Sequence, residues 1–220
     1  MAAASFTNAQ VFVAGPMRNI MQSGDLSAKI SLDTLKKENL FALGAVENLK
    51  GEILVIDGEI HVSAVNRGRI ENYSPSSQAA AMLVYSYVGK WDSLLLDMSI
   101  QSYAQLELLM DSLLNKHGYD GSKAVPFKIT GTPHVSYHVI DWQTGIPHIP
   151  DNHKQFAVSG KMEGEQLILV GFYSEKHKGI FTHHSTYMHI HALNTQTRVV
   201  GHIDEILVKG KVMIFIPSTR

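Results

Sequence analysis

Three histidines carry the densest chemical signal in the chain: His189 and His191 lie two apart, and His202 follows eleven residues later. Residues two apart in an extended strand point to the same side, so His189 and His191 project together. The polar run Asn194-Thr-Gln-Thr-Arg198 reads as the turn between two antiparallel strands, and a hairpin centred near Gln196 and Thr197 sets His202 roughly opposite His191. Directly opposed Cβ atoms sit about 4.5–5.5 Å apart on paired strands. Three imidazoles can then converge on one divalent ion at about 2.0–2.1 Å each. The chain has no cysteine, so a transition metal must be held by imidazole and carboxylate, which suits zinc. Three imidazoles leave a fourth position open, the pattern of a catalytic rather than a closed structural site.

A lone His-x-His on a strand is more often a solvated face than a ligand pair; the third histidine at hairpin register tips the reading to metal. The chain has 12 histidines, ten of them between His134 and His202. His184 is expected on the face opposite His189, as a surface residue or behind the ligands, and His177 and His183 flank a loop. Asp204 shares the face of His202 and could orient an imidazole as an acceptor, although an ordinary hairpin polar residue is the plainer reading. A His-x-His pair also marks the cupin barrel, but the glutamate that follows it there is Gln196 here.

The elements that must position these groups are mostly strands. Asp57-Gly58 between β-rich runs predicts a tight hairpin, with Glu52, Leu54 and Ile56 on one face of its first strand. Short strands are expected over Phe127–Thr130, His134–Ile140, Gln155–Val158, Gln166–Tyr173, Ser185–Leu193 and Val199–Val208. Gln78–Tyr87 fits a strand or a buried helix. Helical spacing of Leu106, Leu109, Met110, Leu113 and Leu114, stopped by Gly118, predicts a helix over Ser99–His117. A short helix is expected over Ser31–Leu40 from Ser31 as a cap and the spacing of Leu32 and Leu35. Asp120-Gly121 through Val125-Pro126 reads as a connection. A weak echo between Phe41…Gly51-Glu-Ile-Leu-Val-Ile and Phe156…Gly164-Glu-Gln-Leu-Ile-Leu-Val suggests two related β-rich halves of one domain spanning 1–220, with subdomains of about 10–125 and 126–220 meeting near Pro126.

Bulk properties narrow the partners. The 220 residues are 45% hydrophobic and 18% charged with a formal net charge of -1, enough chain for a sizeable core. Without a run of basic residues nucleic acid is not an expected partner. No apolar run approaches the roughly 20 residues of a membrane span. Met1–Pro16 lacks the features of a signal peptide, although Met1-Ala2-Ala3-Ala4 fits a start that replaces a removed leader. A soluble protein is expected, cytoplasmic or secreted, since a cysteine-free chain is stable in either compartment.

Longer motifs bring a family into view. Met188-His-Ile-His-Ala-Leu…Gly201-His202-Ile resembles the Tyr-His-Leu-His-Phe-Leu…Gly-Gly-His-Val motif of α-acetolactate decarboxylases, with the same spacing from second to third histidine. Upstream, Phe41-Ala-Leu-Gly-Ala-Val-Glu-Asn-Leu-Lys-Gly-Glu-Ile-Leu-Val-Ile-Asp-Gly-Glu is similar to that family's Leu-Asp-Gly-Glu-Met-x-x-Leu-Asp-Gly-Glu segment. The resemblance runs from about Val11 to about Leu207. It implies an α+β fold of two related β-rich halves with mixed or antiparallel sheets and a few helices, the metal site lying on a β-hairpin of the C-terminal half. It also implies zinc on His189, His191 and His202, a glutamate near the metal at Glu52, a homodimer, and conversion of 2-acetolactate into acetoin and carbon dioxide. The family's substrate-contacting arginine aligns with His138, and its threonine with Ala45. Its late acidic residue has no match. The expected catalytic residues are therefore Glu52, for metal contact or proton handling, and His138. The substitution at His138 leaves room for another 2-hydroxy-3-oxo acid as substrate, or for a metal- or small-ligand-binding protein without catalysis.

Overall fold

The structure is a computed structural model and describes residues 9–119, 123–143, 146 and 155–219. Two antiparallel sheets carry the fold. The first comprises β1 (Val11–Ala14), β2 (Ile30–Ser31), β3 (Leu40–Val46), β4 (Glu52–Ile56), β5 (Glu59–Asn66), β6 (Arg69–Tyr73) and β7 (Ala79–Tyr87), in the order β1-β7-β3-β4-β5-β6 with β2 against β7. The second comprises β8 (Trp91–Leu96), β9 (Val125–Gly131), β10 (His134–Ile140), β11 (Ala157–Met162), β12 (Leu167–Tyr173), β13 (Met188–Asn194), β14 (Val200–Leu207) and β15 (Val212–Pro217), in the order β11-β10-β14-β13-β12-β9-β15-β8. The α+β class with two β-rich parts is as the sequence predicts.

Local chemistry explains the elements that matter for the site. Asp57 and Gly58 both take positive φ, 49° and 80°, the geometry of a type I′ turn whose twist suits the flanking strands. This turn closes β4 on β5 and puts Glu52 opposite Ser63. The long helix α2 (Tyr103–Lys116) begins where the Ser102 side chain accepts the Gln105 N–H and ends before Gly118 at φ 77°. Its buried stripe is Leu106, Met110 and Leu114. These residues pack on one face of the second sheet, together with Met188, Ile190 and Ala192 of β13. The alternate β13 residue Leu193 joins Val200, Val170 and Phe172 against Phe41, Leu43 and Leu54 of the first sheet. The strand is thus buried on both faces, and the side that carries His189 and His191 looks toward the first sheet.

Several expectations shift. Residues 31–40 do not form a helix: β2 ends at Ser31, a single 3-10 turn covers Leu32–Thr34, and β3 starts at Leu40. The Leu32/Leu35 spacing is served by that turn, while Leu32 N–H donates to Gln78 O and Asn39 adopts φ 58°, which a helix cannot continue through. Gln78–Tyr87 resolves as the strand β7. Val125 and Pro126 belong to β9 rather than to a connection, Pro126 lying near the start of the strand where its missing N–H is tolerated. Asp120-Gly121 lies outside the described residues. The chain passes from the first sheet to the second between Tyr87 and Trp91, where β8 pairs with β15. The sequence echo also lands on unlike partners: β3 and β4 pair directly, whereas β11 pairs with β10 and β12 with β13 and β9.

Candidate metal centre

His189 and His191 sit on β13, and His202 on β14 is the registered partner of His191. This is the juxtaposition that the hairpin reading predicts. Gly201 beside it has no room for a side chain, since an added Cβ would lie 2.2 Å from the Tyr137 ring. All three histidines are buried. His189 Nε2 lies 3.1 Å from His191 Nε2 and 3.0 Å from His202 Nδ1.

The tautomers follow from the outer partners. His189 donates its Nδ1–H to Phe181 O at 2.7 Å, and His191 donates its Nδ1–H to Ile53 O at 2.9 Å. Each neutral ring then turns an unprotonated Nε2 inward. Two such lone pairs cannot hydrogen-bond to each other. Burial holds His191 down at about 3 and His189 and His202 well below the usual imidazole range, so all three rings are neutral near pH 7. Ligands at about 2.0–2.1 Å in tetrahedral geometry place their donor atoms about 3.3 Å apart. The trio therefore fits a divalent ion in both spacing and donor chemistry, and its carbonyl acceptors are the outer partners that commonly orient metal-binding imidazoles.

Two expected catalytic residues flank the trio. Glu52 is buried at the start of β4, with Oε2 3.5 Å from His191 Nε2 and Oε1 accepting the Ile140 N–H at 3.2 Å. Burial raises its carboxyl to about 7, against the opposing pull of His138 and the Ile140 N–H. His138 on β10 is the registered partner of His202, with ring centroids 4.7 Å apart. Its Nδ1 lies 3.0 Å from both carboxylate oxygens of Asp204. A β-bulge falls beside this pair: Ser136 pairs with Glu205 and Tyr137 with Ile203, leaving Asp204 as the extra residue. Asp204 does orient an imidazole, but that imidazole is His138 rather than a member of the trio.

A cavity of about 500 Å³, counted out to solvent, opens over this group. Its polar lining is Glu52, His138, His183, His189 and His202; its apolar lining includes Met17, Ile20 and Met21 of the short helix α1 (Met17–Ser23) and Ala45 and Met82 of the first sheet. Ala45, at the family's threonine position, is the registered partner of Glu52. α1 was not foreseen, although Gly15-Pro16 before a Met-rich run is a usable helix-start signal. His183, expected only to flank a loop, instead lines the cavity: its ring meets His202 edge-on at 5.3 Å between centroids, and burial lowers its pKa. His184 is exposed and precedes β13, and His177 bonds Ser174 at 2.7 Å and stacks on Phe181.

Fold and site together define a two-sheet protein with a buried tri-histidine centre, two of whose members, His189 and His202, line a largely apolar cavity. The chain belongs to the alpha-acetolactate decarboxylase family, whose family model matches residues 11–218. Among solved structures, an alpha-acetolactate decarboxylase from Bacillus subtilis strain 168 superposes with a TM-score of 0.77 at 15% identity, over 96% of this chain and 86% of that one. A Staphylococcus aureus protein of unknown function, similar to alpha-acetolactate decarboxylase, superposes with a TM-score of 0.74 at 17% identity, over 94% and 84%. At such identities the superpositions speak for the fold alone. No curated protein matches the sequence. Among the described residues no helix is long and apolar enough to cross a membrane.

Proposed function

We propose that the chain is a zinc-dependent decarboxylase that converts 2-acetolactate (2-hydroxy-2-methyl-3-oxobutanoate) into acetoin and carbon dioxide. The observation that carries this reading is the convergence of three neutral imidazoles on one point beside the cavity, in a chain of this family. Loss of carbon dioxide beside a ketone leaves an enediolate, and its negative charge is the barrier. A bound zinc ion supplies Lewis-acid stabilisation of that charge, worth several kcal/mol.

The chain's own residues do the rest. His189, His191 and His202 would hold the ion. Glu52 gives the proton that quenches the enediolate carbon from one side, which fixes the chirality of acetoin; positioned acids of this kind contribute about 10²–10⁴-fold. His138, braced by Asp204, orients the substrate. The methionine-rich wall keeps water from competing for the same groups. A homodimer belongs to this proposal, as the resemblance implies, and light scattering of the purified protein checks it.

The test is acetoin formation from racemic acetolactate, abolished by a chelator and restored by zinc. One observation favours a second reading. An imidazole at 138 lacks the bidentate fork with which a guanidinium grips a carboxylate, so a different 2-hydroxy-3-oxo acid is the alternative substrate. Zinc at about one per chain with product from a related acid but not from acetolactate would select it. Zinc with no product from any such acid would leave a metal- or small-ligand-binding protein on this scaffold.

A further inference from the structure

The cavity has five polar side chains, Glu52, His138, His183, His189 and His202, and none of its described lining residues is lysine or arginine. A 2-hydroxy-3-oxo acid brings three polar groups to it. On the function proposed above, on which this inference rests, a bound zinc ion would take the hydroxyl and ketone oxygens, and the carboxylate would be left to the protein. Glu52 is an unsuitable partner, being itself a carboxyl group. His138 commits Nδ1 to Asp204, which places a carboxylate directly behind its ring. His183 is not a carboxyl group, and although the Asp204 charge also acts on it, the Asp204 hydrogen bonds among the described residues go to His138.

His183 also stands in the right place. It is outside the trio whose ligand atoms converge within 4.8 Å. Its ring lies over His202 at 5.3 Å and near His189 at 6.3 Å, whereas Glu52 approaches the trio over His191. The loop that carries it is anchored immediately before it: Phe181 and Thr182 are buried, Gly179 N–H donates to Thr182 O at 2.8 Å, and Phe181 O is the acceptor that orients His189. One short segment therefore aims a metal ligand and presents a further imidazole to the cavity. His183 lines the same largely apolar cavity as Met17, Ile20 and Met21, where a single ring N–H is an effective partner for a carboxylate.

We propose that His183 binds the substrate's carboxylate through a ring N–H and holds it until the C–C bond breaks, its electron pair passing into the enediolate as carbon dioxide departs. The test is calorimetric titration of zinc-loaded protein with two probes. The first is 2,3-dihydroxy-2-methylbutanoate, the ketone-reduced substrate, which cannot lose carbon dioxide; the second is butane-2,3-diol, which has no carboxylate. The wild type is expected to prefer the first, and His183→Ala to weaken that probe by about tenfold or more while leaving the diol and the zinc content unchanged. His183→Gln, which keeps an N–H donor, should recover much of the loss. No preference in the wild type, unchanged binding of the acid by His183→Ala, or equal loss of both probes overturns the assignment. Absence of acetoin formation by the wild type would defeat the proposed reaction, while the two-probe comparison would still decide the role of His183.

Discussion

His191 donates its Nδ1–H to the carbonyl of Ile53, 2.9 Å away on the other sheet. Ile53 follows Glu52 on β4, so one strand of the first sheet both orients a ligand of the second and delivers the acid beside it. The centre is completed only where the two sheets meet, which ties its chemistry to their packing.

Glu52 is the first side chain to test. Glu52→Gln keeps a carbonyl oxygen to accept the Ile140 N–H, and so preserves the packing, but it cannot pass a proton. Acetoin formation should fall by about 10²–10⁴-fold with zinc content unchanged. Retained activity in a steady-state assay would remove Glu52 from the proton step.

In the proposed reaction Asp204 acts through His138, to which it is hydrogen-bonded. Asp204→Asn keeps the bulge but removes the negative charge that braces the imidazole, and kcat should drop by about tenfold with little change in zinc content, since Asp204 bonds none of the three ligands. A parallel loss of zinc would instead assign Asp204 to the metal itself.

A pH effect on stability follows from His61, outside the centre. This buried ring accepts a hydrogen bond from Arg198 Nη2 at 3.1 Å, and burial, with Arg198 adding to it against the opposing pull of Glu59, lowers its pKa below the ordinary 6.5. The folded state thus resists the proton that the unfolded chain accepts. The contribution is complete above about 6.5 and is lost as pH falls from there toward the folded value, at most about 1.4 kcal/mol for each pH unit. Urea unfolding at pH 7.5 and 5.5 should show a smaller acid loss for His61→Gln than for the wild type; an equal loss would place the sensitivity elsewhere.

Short-range rules served the site well where it is made of strand register. The His-x-His spacing and the Asn194–Arg198 turn predict the partnership of His191 with His202, and Asp57-Gly58 predicts the hairpin that presents Glu52. The rest depends on geometry that no local pattern encodes. The bulge at Asp204, beside His138, arises from a register shift between β10 and β14. The Phe181 carbonyl that orients His189 comes from a loop with no periodicity. Sheet membership is equally non-local: the partner of β8, β15, lies at the far end of the chain. In residues 31–40, a two-leucine spacing suits a single turn as well as a helix, and pairing with β7 decides between them.

The central claim is most directly tested by titrating chelator-stripped protein with zinc while acetoin production from acetolactate is followed. Activity should start near zero, rise linearly and break at about one zinc per chain, with His191→Ala showing neither rise nor break. Acetoin production at full rate by the metal-free protein, or zinc uptake with no acetoin at any ratio, would contradict it.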